Sequence, residues 1–162
     1  MTTRAPATCC RRWRAAAAVV GVQALAVDQA RSASTLGRNR LGSGVVIGDD
    51  GLVLTIGYLI LEAEQVLLVT DDERRIPARV VAYDLASGFG LVRALVPLGL
   101  APVSLGSAGL LADDEPLMAV NGGDDGSIAA TRLVSRRAFS GYWEYHVDGA
   151  LRRAAPGWRR AA

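Results

Sequence analysis

The sequence predicts an all-β protein, from one hairpin and from the short strands that follow it. Two β-branched runs at 44–47 and 52–56 flank Gly48-Asp49-Asp50-Gly51. An Asp-Gly pair between two such runs is typical of a tight β-hairpin, because Gly51 can adopt the positive φ that the turn needs. Short apolar runs alternate with polar turns along the rest of the chain, at 65–70, 75–83, 89–95, 117–122 and 132–135. Short strands separated by such turns favour sheets or barrels over helical folds.

The first 26 residues have two alternative interpretations. Arg11-Arg12-Trp13-Arg14 is a positively charged start, an apolar run covers 15–26, and Ala24-Leu25-Ala26 has the small residues that a signal peptidase needs. On this interpretation the chain is cut after Ala26, and the protein is periplasmic or secreted. On the other, the alanine-rich segment forms a helix packed on the barrel, since alanine favours helix, and the protein is cytoplasmic. The run is too short to span a membrane as a helix.

The opening hairpin also carries a family pattern. Gly42-Ser43-Gly44, Asp50-Gly51 and Thr55 occur in this order, and a single helical turn is expected at 57–62. This arrangement resembles the start of the trypsin-fold domain in Do-like (HtrA-type) serine proteases, whose pattern is G-S-G, strand, D-G turn, strand and T-N-x-H-V-V. Less specific matches beyond residue 100 extend the resemblance over residues 36–150.

The resemblance implies a trypsin-like double β-barrel. The polar residues 27–40 are expected to form a loop or linker at its start, because turn-forming side chains dominate there. We expect a nearly complete first barrel at 27–100. A complete double barrel usually needs more chain than 162 residues, so we expect a truncated second barrel at 101–162.

The resemblance places the catalytic positions on residues that lack the chemistry. The family's histidine falls on Tyr58, its aspartate falls on Gly88, four residues after the matched Asp84, and its nucleophile falls near Arg159. A phenol is a poor general base at neutral pH, and glycine has no side chain. His146 is the only histidine, on the wrong strand for this triad, and a single histidine on a Tyr/Trp-rich strand is usually a packed or surface residue.

Composition argues against several other classes of site. All 18 basic residues are arginines, and outside the two termini 10 arginines face 16 acidic residues, a net charge of −6. No basic stripe with interleaved aromatics is present there, so nucleic-acid binding is not expected. Cys9 and Cys10 are adjacent and provide no disulfide framework. With a single histidine and no ligand cluster around it, neither a metal nor a cofactor is expected.

Two further segments have a structural and a functional interpretation. Gly122-Gly123-Asp124-Asp125-Gly126 lacks the Lys and Ser/Thr of a phosphate loop, which favours a hairpin turn. Tyr142, Trp143 and Tyr145 lie on the last strand-like run, 142–150. Alternation across a strand favours a structural role for them, and a peptide groove is the alternative.

Three functional hypotheses follow. The first is a catalytically inactive serine-protease homologue that binds at most peptides, unfolded segments or a partner, by strand addition at an open sheet edge. The second is an active trypsin-like serine endopeptidase. The third is a truncated gene product without a stable function, because an unfinished barrel exposes strand edges and apolar surface.

Overall fold

The computed structural model describes residues 15–123, 126–141 and 146–154, and it confirms the all-β class. The helical segments in these residues are short: α1 (Ala33–Leu36), α2 (Gly57–Ile60) and a 3-10 turn at Ala108–Leu110. The strands are β1 (Val19–Ala26), β2 (Asn39–Val46), β3 (Leu52–Ile56), β4 (Ala63–Val69), β5 (Arg75–Tyr83), β6 (Phe89–Ala94), β7 (Pro116–Asn121), β8 (Ser127–Ser140) and β9 (His146–Arg153).

Six strands form a closed barrel in the order β1-β2-β3-β6-β5-β4. Strand β1 closes it, because β1 pairs antiparallel with β2 on one side and with β4 on the other. The predicted helix over the alanine-rich run is therefore wrong for Val19–Ala26. The barrel also begins at Val19 and not at residue 27, and it is closed where we expected it to be nearly complete. Within the predicted linker 27–40, α1 forms and β2 already begins.

Burial explains why β1 is a strand. The side chains of Val20, Val22 and Ala24 are 0%, 1% and 6% exposed, at every second position. This period of two places one face of β1 in the barrel core, whereas a helix would separate these side chains around its axis. Burial between two neighbouring strands outweighs the intrinsic helix propensity of alanine, since tertiary context routinely overrides such local preferences.

The predicted hairpin at 44–56 is present as β2 and β3. Gly51 has a φ of +75°, as the turn requires, and its carbonyl accepts a 3.1 Å hydrogen bond from the Ala94 N–H. Strands β7, β8 and β9 form a separate three-stranded sheet in that order. This partial second sheet beside a closed barrel matches the predicted double-barrel architecture. The glycine-rich segment 122–126 joins β7 to β8 as a hairpin connection, with Asp124 and Asp125 outside the described residues.

Two contacts among the described residues illustrate how the second sheet meets the barrel. At the first, the Gly122 N–H donates a 3.0 Å hydrogen bond to Ser43 Oγ, and a Cβ on Gly21 would lie 2.6 Å from Gly123 Cα. Only glycine at Gly21 permits this approach of two backbones. At the second, the backbone N–H of His146 donates a 3.0 Å hydrogen bond to the carbonyl of Ala86.

A buried arginine on β2 fixes the end of α2. Arg40 is 4% exposed, and its Nη1 donates to the carbonyls of Tyr58 at 2.8 Å and Leu61 at 2.6 Å. Its Nη2 donates to Ser32 Oγ at 2.7 Å, and the Ser32 hydroxyl donates in turn to the Glu62 carboxylate. The hydroxyl and then the backbone N–H of Ser32 hold the pKa of Glu62 below its usual value, while burial lowers the pKa of Arg40. The network satisfies carbonyls that the short helix leaves without partners.

Removal of residues 1–26, as signal cleavage after Ala26 would cause, should open the barrel. We expect the chain 27–162 to lose the cooperative thermal transition of the full chain, because β2 and β4 lose their common neighbour. Circular dichroism during heating measures this, and removal of residues 1–14 alone is the control that should unfold like the full chain. An unchanged transition for 27–162 would contradict the assignment of β1. Mass spectrometry of chain recovered from cells shows whether the cut occurs.

Replacing Arg40 with methionine should destabilise the fold strongly. We expect Arg40→Met to lower the free energy of unfolding by about 2–4 kcal/mol, because buried acceptors lose their donor. Urea denaturation measures the change. Arg79 on β5 is exposed, so Arg79→Met is the matched control and should stay within about 0.5 kcal/mol. Equal effects of the two substitutions would show that the Arg40 network does not stabilise the fold.

Candidate functional site

Tyr58, the residue on which the sequence resemblance places the family's histidine, lies in the short helix α2 that directly follows β3. Its side chain is partly buried and packs against the barrel core. Its carbonyl is fixed by Arg40. Thr55, which matches the family pattern, is buried at 4% exposure, and its hydroxyl donates a 2.8 Å hydrogen bond to the Ser43 carbonyl. The matched residues Ser43 and Thr55 thus hold β2 against β3 where α2 begins.

Gly88, the residue on which the sequence resemblance places the family's aspartate, lies in a turn that Asp84 stabilises. The Asp84 carboxylate accepts hydrogen bonds from the Ser87 hydroxyl and, at 3.0 Å, from the Ser87 N–H. The hydrogen bond from the Ser87 hydroxyl is the largest of the effects that lower the pKa of Asp84. The expected turn-capping role of Asp84 is confirmed. Gly88 has a φ of +72°, in the left-handed region that favours glycine.

The structure brings the Tyr58 and Gly88 positions side by side. The Gly57 N–H donates a 2.7 Å hydrogen bond to the Gly88 carbonyl, so α2 starts directly against the Asp84–Phe89 turn. A Cβ on Gly57 would lie 1.9 Å from Tyr83 Cε2, and a Cβ on Gly90 would lie 2.6 Å from Ile60 Cδ1. These two glycines therefore permit the close packing. This role of the two glycines was not predicted, although Gly57 directly precedes Tyr58 and Gly90 lies two residues after Gly88 in the sequence.

The paired positions cannot perform proton transfer as a histidine–aspartate pair does. A general base must accept a proton from the nucleophile, and a carboxylate must orient that base. Tyr58 offers a phenol, and Gly88 offers only backbone atoms. The third position, Arg159, lies outside the described residues, as do Tyr142, Trp143 and Tyr145 of the alternative peptide groove.

His146 has two side-chain partners that the sequence did not reveal. It is the first residue of β9 and is exposed, which agrees with a surface residue. Its Nδ1 lies 2.9 Å from Ser140 Oγ, and its Nε2 lies 3.1 Å from Asp148 Oδ1. Ser140 lies opposite His146 in the register of β8 and β9, and Asp148 follows two residues later on the same strand. Strand alternation places His146 and Asp148 on one sheet face.

A cleft lies between the barrel and the β7–β8 connection. Its volume is about 380 Å³, and its lining is rich in glycine backbone: Gly21, Val22, Gln23, Leu41, Gly42, Ser43, Asn121, Gly122 and Gly123. Leu41, at its rim, is 73% exposed. Neither Tyr58 nor Gly88 lines it.

The described part of the chain shows neither a metal site nor a membrane-spanning helix. Residues 15–123, 126–141 and 146–154 contain no group of three or more His, Cys, Asp or Glu side chains that could hold a metal ion. In the same residues, every helix is too short or too polar to cross a membrane.

Comparisons with known proteins bear on this geometry. A model of the trypsin-like peptidase domain matches residues 42–158. The chain is similar to a structure of the HtrA-type protease AlgW with a tripeptide, at 19% identity and a TM-score of 0.67, over 81% of this chain and 40% of that one. A serine-to-alanine variant of AlgW with a tripeptide gives 19% identity and a TM-score of 0.66, over 78% and 39%. A search of curated proteins found no match.

These likenesses define the family and the fold. The chain spans well under half the length of the two AlgW chains. At 19% identity, the similarity to the two solved structures shows the fold alone. The family model matches most of the chain and therefore shows the family. The resemblance predicted from the Gly42–Gly44 and Asp50–Gly51 motifs is therefore confirmed: the chain belongs to the trypsin-like peptidase family and has the fold of an HtrA-type protease domain.

Proposed function

We propose that this chain is a catalytically inactive member of the family that retains peptide or partner binding. One observation carries the proposal. The hydrogen bond between the Gly57 N–H and the Gly88 carbonyl brings together the two segments that carry Tyr58 and Gly88, the residues on which the sequence resemblance places the family's base and aspartate. This proximity supports the assignment of the two positions, and neither residue has a side chain that transfers a proton as a histidine–aspartate pair does.

The energetic cost of these replacements is large. Loss of one triad member typically costs a factor of about 10⁴ in rate, and the losses do not add because the members act as a unit. What survives such losses elsewhere is stabilisation of the oxyanion by backbone N–H groups. In this family those groups belong to the nucleophile turn, for which the sequence provides no G-x-S-G pattern.

Two features support peptide binding. The AlgW structures contain a bound tripeptide, and the cleft of about 380 Å³ offers this chain a concave surface with exposed backbone and the apolar side chain of Leu41 at its rim. Strand β9 pairs with β8 alone among the described residues, so an extended peptide could also add at its other edge.

The purified chain should not cleave β-casein. We expect no cleavage above the uncatalysed background, and no gain in the Tyr58→His/Gly88→Asp variant, because the variant still has no G-x-S-G turn to provide the family's nucleophile and oxyanion donors. Aspartate tolerates the left-handed backbone at Gly88 better than most residues, so the variant should fold. Gel electrophoresis with active trypsin as positive control measures cleavage. Specific cleavage that disappears in His146→Ala would contradict the proposal.

Binding of unfolded protein should depend on the cleft. We expect Leu41→Asp to weaken the binding of fluorescein-labelled β-casein at least about fivefold, because a charge replaces apolar contact at the rim. Leu105 is also 73% exposed and does not line the cleft, so Leu105→Asp is the matched control. Fluorescence anisotropy measures both. Binding that both variants retain would point to the β9 edge, and no binding by the unaltered chain would contradict the proposed binding role.

A further inference from the structure

We propose that Ser140, His146 and Asp148 form a hydroxyl–imidazole–carboxylate relay in which Ser140 accepts acyl groups from small activated esters. This site lies on the second sheet, uses neither Tyr58 nor Gly88, and goes beyond the binding role proposed above. The only histidine of the chain stands between a hydroxyl at 2.9 Å and a carboxylate at 3.1 Å. Both contacts lie within hydrogen-bond distance.

Strand pairing brings the three groups together. Ser140 and His146 are directly opposite each other on paired strands, and Asp148 is two residues along β9 from His146. The start of β9 is held to the barrel by the 3.0 Å hydrogen bond from the His146 N–H to the Ala86 carbonyl. A nucleophile, a base and an orienting acid within hydrogen-bond reach of one another are the arrangement that activates a serine hydroxyl.

The contacts define a proton path. With the imidazole proton on Nε2, that N–H donates to Asp148 and leaves the Nδ1 lone pair facing the Ser140 hydroxyl. Ser140 Oγ then forms a bond to the ester carbonyl carbon while its proton passes to Nδ1. The bond from that carbon to the leaving oxygen breaks, and the leaving group departs as an anion. Water later cleaves the Ser140 ester, and the carboxylic acid released and the imidazolium return their protons to solvent.

The surroundings restrict this chemistry to reactive, small acyl donors. The side chains of His146 and Asp148 are 52% and 96% exposed among the described residues, so a reagent in solution reaches them and binding in an enclosed pocket does not assist the reaction. A peptide amine must be protonated as it leaves, whereas an aryl ester releases a stable phenolate without that help. Acylation of Ser140 is therefore compatible with the absence of peptide hydrolysis.

Acetylation by p-nitrophenyl acetate tests the relay. The chain contains no lysine, so the usual competing amines of side chains are absent. We expect peptide mapping by mass spectrometry to find acetyl-Ser140 formed at least about tenfold faster than in the His146→Gln variant, as a positioned general base allows. Ser135 is on the same strand, and its acetylation rate is the internal control. Circular dichroism confirms that the variants fold.

The role of Asp148 can be tested separately from that of His146, because Asp148 positions the imidazole and does not contact the ester. We expect Asp148→Asn to slow acetylation of Ser140 severalfold and Asp148→Glu to recover part of the rate, whereas a merely structural residue would alter Ser135 and Ser140 alike. Equal acetylation of Ser140 in the unaltered chain and in His146→Gln would overturn the proposal. So would acetylation of Ser135 at the rate of Ser140. Neither outcome bears on casein cleavage or casein binding, which test the proposed function.

Discussion

Closure of the barrel by β1 is the constraint on which the rest of the structure depends. β1 is hydrogen-bonded to β2 on one side and to β4 on the other, and Val20 and Val22 fill the core between them. A closed barrel leaves no strand edge unpaired. The same strand meets the β7–β8 connection, where Gly21 lies against Gly123, so β1 also provides the surface against which the second sheet is placed.

The packing around the two predicted catalytic positions does not depend on catalytic side chains. The packing of α2 on the Asp84–Phe89 turn depends on Gly57 and Gly90, and on a hydrogen bond between backbone atoms. None of these contacts requires the side chain of a histidine or an aspartate. Tyr58 and Gly88 can therefore occupy the two positions while the backbone around them keeps its arrangement, which is why fold alone does not imply function.

The second sheet is more exposed to solvent than the barrel. Much of β8 and β9 is exposed, and the Ser140–His146–Asp148 contacts lie in solvent, where such pairs contribute little to stability. Their geometry comes from strand register and from the backbone hydrogen bond between His146 and Ala86. Reactivity at this place, unlike the catalysis of a buried triad, would come from proximity of the three groups without the exclusion of water.

The sequence by itself determined the local elements and the candidate positions. The β2–β3 hairpin and α2 follow from adjacent residues, since the Asp50-Gly51 turn and β-branched runs are local signals, and the flanking matches placed Tyr58 and Gly88. Only the tertiary structure decided that Val19–Ala26 is a strand, because an alanine-rich run has only a weak local preference and its two partner strands are distant in sequence. The tertiary structure alone also placed Ser140 opposite His146, because pairing across a sheet depends on register. A register shift of one residue would place these two side chains on opposite faces of the sheet.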